Sequence, residues 1–508
     1  PIGQSRTLKA EPRPDGRGGF AKKQTARRAA GERWDMENFV HASVSHAALA
    51  EFGRNARAVG VQLHALEIFE KNECMVRWAV APYSCGDKRE MYSLSKSFTS
   101  TAAGVAFGMG KLHPDDRVLD WFPEYASLCS GDARWSRLRV GHVLSMNTGH
   151  AACVMPQAAF SQDGVRAFFE APLSHEPGTF FAYNTAASYL AAELVRRAAG
   201  RTVPELLART VFPALGVEEF SWLTCADGRC QGGTGLQASC DDVAKLALLY
   251  LNEGEWAGRR VLPRDWVHMA AQPHSVNAGN GTPDWCAGYG YQFWMNRRGG
   301  FRGDGAFGQL CVVLPENGIA AAVTAECTNM SAELDALWLL LENLHKQDGA
   351  CADGGLPEAY IPQGRLDGRE WDTGWLDFRP NPAGFTGLRV RVDGEAACVW
   401  LCDGSSVQKV CAPSGTWREN TLWAKNFRPA IFRQMPRAER APLRFAAAAH
   451  MRGDLLVLEC RSLNTPHAFE MRFASSGDGM RMELFSPLDV FGEEKLLEAG
   501  RPQRKVER

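Results

Sequence analysis

The chain has 508 residues, 45% hydrophobic and 23% charged, which excludes a wholly disordered or low-complexity polymer and predicts about three domains. Its 57 Lys and Arg balance 58 Asp and Glu to a formal charge of −1, so there is no electrostatic case for a nucleic-acid or anionic-membrane partner. No run of about 18 apolar residues occurs, so no membrane span is expected.

Residues 1–34 carry nine Lys or Arg against three Asp or Glu, with Gly and Pro punctuation, and read as a disordered basic tail. A helical pattern starts near Asp35 and runs through Phe39, Val40, Val44, Ala48 and Phe52 at three-to-four spacing. Two strand-like segments follow, 61–69 and 75–80. Next comes an apolar-rich helix from Tyr92 whose Ser and Lys residues crowd its N-terminal end. The stretch Gly110-Lys-Leu-His-Pro-Asp-Asp supplies turn chemistry to end it. Beyond Leu138, 186–199 and 241–251 read as amphipathic helices. Segments 309–315 and 319–324 read as strands joined at Asn317-Gly318, and 334–345 as a Leu-rich helix.

Residues 348–366 are Gly- and Pro-rich and read as a linker between a domain over 35–347 and another over 367–508. The second contains short alternating runs at 388–392, 397–402, 443–448, 455–460 and 468–473, the pattern of an antiparallel β domain. Helical spacing reappears only at Glu493. Trp417, Trp423, His467 and Phe469 stand out there. Structural aromatics in a β core are the favoured reading, a sugar- or peptide-binding face the other.

Fifteen cysteines, with no C-x-x-C pair, predict reduced, partly buried thiols in a cytoplasmic protein. Cys225 with Cys230 and Cys398 with Cys402 lack zinc-ribbon spacing, and no H-E-x-x-H occurs, so no metal or other cofactor is expected. No secretory h-region opens the chain, although a leader ahead of Pro1 stays open. Gly303-x-Gly305-x-x-Gly308 satisfies a dinucleotide pattern formally, but a strand rather than a helix follows it. No G-x-S-x-G elbow is present.

The chemistry concentrates at Ser93-Leu-Ser-Lys96. A Ser-x-x-Lys at a helix start places hydroxyl and amine one turn apart on one face. Free N–H groups and the helix dipole there favour developing negative charge. Apolar neighbours and the positive helix end would both lower the pKa of Lys96, fitting it to act as a base toward Ser93. Taken alone, the pattern also fits a capped helix with an exposed lysine.

The surroundings resemble the serine β-lactamase and penicillin-binding-protein superfamily, in particular the class C β-lactamase-related hydrolases and esterases. The segments that carry the resemblance, in order, are Tyr92-Ser-Leu-Ser-Lys-Ser-Phe-Thr-Ser, Gly110-Lys-Leu-His-Pro-Asp-Asp-Arg-Val, Val140-Gly-His-Val-Leu-Ser-Met-Asn-Thr-Gly, Glu176-Pro-Gly-Thr-Phe-Phe-Ala-Tyr-Asn-Thr, Gly232-Gly-Thr-Gly-Leu-Gln-Ala-Ser and Asp304-Gly-Ala-Phe-Gly-Gln. The resemblance covers roughly residues 36–346. The resemblance implies an α+β fold of β-lactamase/transpeptidase type, an antiparallel sheet flanked by helices plus a helical lobe, with the site between them. It makes Ser93 the acylated nucleophile, Lys96 its proton partner and Tyr183 the second acid/base group. The Ser93 and Ala306 N–H groups become the oxyanion donors. Asn184, Thr185, Asp304 and Gly305 become substrate-binding candidates.

Two departures matter. Thr185 stands where the family's Y-x-N has asparagine, with Asn184 one place early. Gly303-Asp304-Gly305 replaces K-T-G, which removes the cation and sets an acid beside it. These changes favour an ester or amide substrate over a β-lactam. The alternatives are β-lactamase or penicillin-binding-protein activity, and a non-catalytic binding or sensor protein on the same scaffold. Oligomeric state and natural substrate stay open.

Overall fold

The computed structural model describes residues 8–9, 38–279, 281–347, 356–381, 383–423, 442–477, 479–487 and 496–500. These fall into two compact units, divided between Pro357 and Glu358, within the segment 348–366. Most of the basic tail lies outside the described residues. Its Leu8–Lys9 pair as a short strand with Phe220 and Glu219.

The first unit is built on a seven-stranded antiparallel sheet. Its strands are β1 (Phe39–Val40), β2 (Gln62–Glu70), β3 (Glu73–Ala79), β4 (Trp294–Met295), β5 (Phe301–Gly305), β6 (Gln309–Leu314) and β7 (Ile319–Glu326), in the order β4-β5-β6-β7-β2-β3-β1. N- and C-terminal segments thus meet at the sheet centre, where Ala320 to Val323 pair with Phe69 to Leu66. Buried on both faces, β6 and β7 read as continuous apolar runs (Leu310 to Leu314, Ile319 to Val323) instead of alternating. The turn between them closes through Gly318 at φ +68°, the left-handed backbone that glycine takes without a Cβ clash.

Five helices frame this sheet and the site: α1 (His46–Ala58), α2 (Ser95–Gly108), α3 (Thr185–Ala199), α4 (Cys240–Leu251) and α5 (Met330–Glu342). Helix α4 lies across β7, β6 and β2, α1 packs on α5, and α2 packs on α3. Every residue of α2 from Ser95 to Ala106 is buried, including the polar Ser, Thr and Lys side chains of its N-terminal half. Trp266 presses so closely on Gly104 that an added Cβ would lie 2.3 Å from its ring.

The helix expected from Asp35 is corrected. Phe39–Val40 pair with Arg77 and Val76 as an edge strand, and the helix begins at His46. The Ser45 hydroxyl accepts the Ala48 N–H at 3.1 Å and fixes that start, so the apolar spacing of Val40 and Val44 runs across a cap.

The second unit is a β domain. Its strands are β8 (Glu370–Asp372), β9 (Leu376–Phe378), β10 (Gly387–Asp393), β11 (Ala396–Cys402), β12 (Val407–Pro413), β13 (Arg418–Leu422), β14 (Leu443–Arg452), β15 (Leu455–Ser462), β16 (Ala468–Ser476), β17 (Gly479–Phe485) and β18 (Leu496–Gly500). They run β12-β11-β10-β9-β18-β17-β16-β15-β14-β13, with β8 also on β10. The sheet nearly closes on itself, since Ser414 beyond β12 bridges to Ala449 of β14. Alternate residues such as Leu388, Val390, Val399, Leu401, Met471 and Phe473 fill the interior. Leu497 and Ala499 join them from β18, so the segment after Glu493 is a strand where described, not a helix. Phe469 is a core residue packed edge-on to Phe445. Trp417 donates to the Tyr360 carbonyl, and Trp423 is exposed.

Among the described residues, no helix is long and apolar enough to cross a membrane.

Candidate active site

A single 3-10 turn, Tyr92–Leu94, leads directly into α2 and carries Ser93 at its centre. Tyr92 is held at φ +46°, a costly conformation for a bulky residue, of the kind that concentrates where side chains must be aimed. The surroundings fix it. Phe307 packs edge-on to its ring, and its amide donates to the buried Glu90 carboxylate. Glu90 also accepts the Gly235 N–H at 3.0 Å, tying the turn to the segment Gly233–Gly235.

That segment completes the lysine site. Lys96, 2% exposed, directs Nζ to Ser93 Oγ at 3.1 Å, to the Gly233 carbonyl at 2.8 Å and to Thr185 Oγ1 at 3.3 Å. Burial lowers its pKa from 10.5 to about 7, against smaller upward pulls from Cys153 and Asp304. Nζ also lies 4.9 Å over the Tyr183 ring, and the Tyr183 hydroxyl bonds to the Ser93 side chain. Burial and the Asp304 charge hold the Tyr183 phenol above its ordinary pKa, so it carries its proton at neutral pH. Of the two directions open to an acid/base group, these surroundings favour Tyr183 as a proton donor.

Strand β5 forms the opposite wall. A Cβ on Gly305 would lie 2.1 Å from the Met91 carbonyl and 3.1 Å from the Leu94 amide, so the strand end presses on the turn bearing Ser93. Gly305 is thus a close-packing position, where any side chain would push the strand off the turn. Ala306 follows it at once, beyond the last paired residue of β5. A Cβ on Gly303 would meet Ser97 Oγ at 2.3 Å and Leu94 Cδ1 at 2.6 Å, so this register leaves no room for the family's cation.

Asp304 alternates to the other face. It is 8% exposed, pairs with Arg302 at 3.1 Å and accepts bonds from the Trp285 and Trp294 side chains. Trp294 stacks on Tyr183 with centroids 5.2 Å apart, and Tyr289 meets the same ring edge-on. Burial raises the Asp304 carboxyl, while Arg302 and the two indoles favour its charged form.

Asn184 has a structural role beside the substrate-binding one expected of it. Its fully buried Oδ1 accepts the Ala186 and Val154 N–H groups at 3.1 Å each, which makes it the N-cap of α3. Thr185, not Asn184, faces Lys96. Sequence reasoning gave no role to Glu90, to the Gly233 carbonyl or to Cys153. The Gly233 segment was visible as a motif without a role. Exposed Cys153 accepts the Thr185 N–H at 3.3 Å.

Among the described residues one trio of metal-ligand type, Glu67, Cys85 and Asp241, has its ligand atoms within 4.8 Å of one another. Arg77 already holds both Asp241 oxygens at 2.8 and 3.0 Å, and burial with Asp241 drives the Glu67 carboxyl upward. This is a carboxyl pair compensated by guanidinium.

A family model described as Beta-lactamase matches residues 72–344. Among solved structures, a Bacteroides dorei protein described as a beta-lactamase superposes with a TM-score of 0.51 at 16% identity, covering 60% of this chain and 100% of its own. A penicillin-binding-protein homologue from Caulobacter crescentus gives 0.49 at 17%, covering 59% and 98%. A family VIII carboxylesterase gives 0.48 at 16%, again covering 59% and 98%. At 16% identity the likeness to the Bacteroides dorei protein is one of fold.

Proposed function

The chain belongs to the beta-lactamase family, and from that premise we propose that it is a serine hydrolase cleaving an ester or amide bond through an acyl-Ser93 intermediate. The observation that carries the reading is the buried Lys96 amine, 3.1 Å from Ser93 Oγ, with its pKa lowered by burial to about 7. At that value the neutral form, the one able to accept a proton, is well populated at physiological pH.

In this reading neutral Lys96 takes the Ser93 proton as Oγ attacks the substrate carbonyl carbon. The Ser93 and Ala306 N–H groups stabilise the oxyanion, without reorganisation because Gly305 lets strand and turn touch. Tyr183 gives its proton to the leaving oxygen or nitrogen and is reprotonated by the Lys96 ammonium. Water then attacks the acyl carbon, its proton passing to the same pair, and Ser93 is freed. Trp294 and Tyr289 hold the Tyr183 ring in place.

The β-lactam reading is weaker here. Nothing at Gly303 supplies a cation, and Asp304 would face a substrate carboxylate with only Arg302 to offset it. Fluorescent penicillin is expected to label Ser93 poorly.

A panel of p-nitrophenyl esters of increasing acyl length tests the proposal. Turnover above buffer in the wild type and its loss in Ser93→Ala are expected. Turnover at the buffer level for every ester would favour a binding protein on this scaffold, and activity persisting in Ser93→Ala would remove Ser93 as nucleophile.

A further inference from the structure

We propose that Cys398 and Cys411 of the β domain are a covalent modification site, an oxidisable pair that forms a cross-strand disulfide. The inference is independent of the hydrolase reading. The two residues face each other in the β11–β12 register, with Sγ atoms 2.8 Å apart. Non-bonded heavy atoms ordinarily settle at about 3.5–4.0 Å, so these sulfurs are already inside contact distance. Directly opposed antiparallel residues have Cα atoms about 4.5–5.5 Å apart, within the span a disulfide needs, so the bond forms without moving the strands.

Both side chains sit on the outer face, since Ala397 and Val399 on one strand and Val410 and Ala412 on the other fill the core. Cys398 is partly exposed, whereas Cys411 is 7% exposed. Asn420 fixes the buried member by bonding the Cys411 N–H and carbonyl at 2.8 and 2.9 Å. The partners therefore differ in access. Cys398 is the one a soluble oxidant reaches, and Cys411 is the one placed to resolve the product.

With glutathione disulfide as oxidant the chemistry closes. The Cys398 thiolate attacks one glutathione sulfur, breaking that S–S bond and releasing one glutathione. Cys411, losing its proton to solvent, then attacks the Cys398 sulfur of the mixed disulfide and expels the second. The protein loses two protons and two electrons, and one glutathione disulfide becomes two glutathiones. Burial and the neighbouring thiol push the Cys398 pKa up to about 11, against a downward pull from Lys409, so thiolate is scarce at neutral pH. The rate should therefore rise about tenfold per pH unit from about pH 7 to 9.

The bond would tie β12, at the end of the strand order, to its neighbour. To test this, the full reduced chain is incubated with glutathione disulfide, free thiols are alkylated and peptides are mapped by mass. The expected result is one cross-linked species joining the Cys398 and Cys411 peptides, lighter by two hydrogens than their sum. In Cys411→Ser, Cys398 should instead accumulate as its glutathione adduct. Recovery of both wild-type cysteines separately alkylated, or of Cys398 as a lasting glutathione adduct in the wild type, would overturn the proposal.

Discussion

With a pKa near 7, Lys96 changes charge within the working range of most enzymes, and this makes it the most informative residue to alter. If the neutral amine is the base, acylation should rise with pH through about 7 and level off above it. Lys96→Ala should lower acylation by about 10²–10⁴-fold, the usual worth of positioned acid–base assistance. Lys96→Arg should not rescue it, because guanidinium stays protonated; near-wild-type acylation in that variant would reduce Lys96 to a positive charge. The same burial affects folding. The folded value of about 7 lies below the ordinary lysine value of 10.5, so between these pH values the unfolded chain holds a proton that the folded chain has lost. Stability from this group therefore rises with pH across that window. Lys96→Met should raise Tm most at about pH 7 and below, with that gain fading as pH approaches 10.5; an unchanged Tm at about pH 6 would contradict the burial cost. Asp304→Asn should move the acid limb of the rate profile to lower pH, since it removes an anion that favours the ammonium. Ser93 and Lys96 were legible because their spacing is local and each turn of a helix repeats it. The capping role of Asn184 was not legible, because a cap and a substrate ligand are the same residue type and only the start of α3 reveals the cap. Glu90 gave no signal, since its partners Tyr92 and Gly235 meet it only in the folded chain.

Among the elements, the contact of β5 with the Tyr92–Leu94 turn sets the spacing of the two oxyanion donors in the proposed mechanism. A Cβ on Gly305 would meet backbone at 2.1 Å, whereas one on Gly303 would first meet the end of the Ser97 side chain. Backbone cannot rotate away. Gly305→Ala should therefore cost acylation at least about tenfold more than Gly303→Ala, with both variants still folded by circular dichroism. Equal losses would argue against strand-to-turn spacing as the cause. The central hairpin β6–β7 was readable from its apolar runs and its Asn-Gly turn, because that chemistry is local. In the β domain, β12 and β13 escaped the sequence reading. Lys409 and Gln408 interrupt the first, and Leu422 is the only buried residue of the second. Their pairing depends on neighbours distant in sequence, which periodicity within a short window cannot register.

At the scale of the whole molecule, the two units have separate apolar cores, one around α2, α3 and α4 and the other inside the β domain. Every residue of the proposed mechanism belongs to the first unit. A fragment ending at Pro357 should therefore fold and keep its ester turnover within a few fold of the full chain. A fragment that folds but is inactive would mean that the β domain contributes to the chemistry. The division into a mixed domain and a β domain was foreshadowed by the Gly- and Pro-rich change of composition after Asp348. The aromatic residues of the β domain carried no comparable signal, since such residues serve packing as readily as recognition. The central claim remains the covalent one. A fluorophosphonate probe reacts with an activated serine, and peptide mass mapping then reports which serine. The account predicts one adduct on the peptide containing Ser93, present in the wild type and absent in Ser93→Ala. No adduct in the wild type, or labelling that persists in Ser93→Ala, would contradict it.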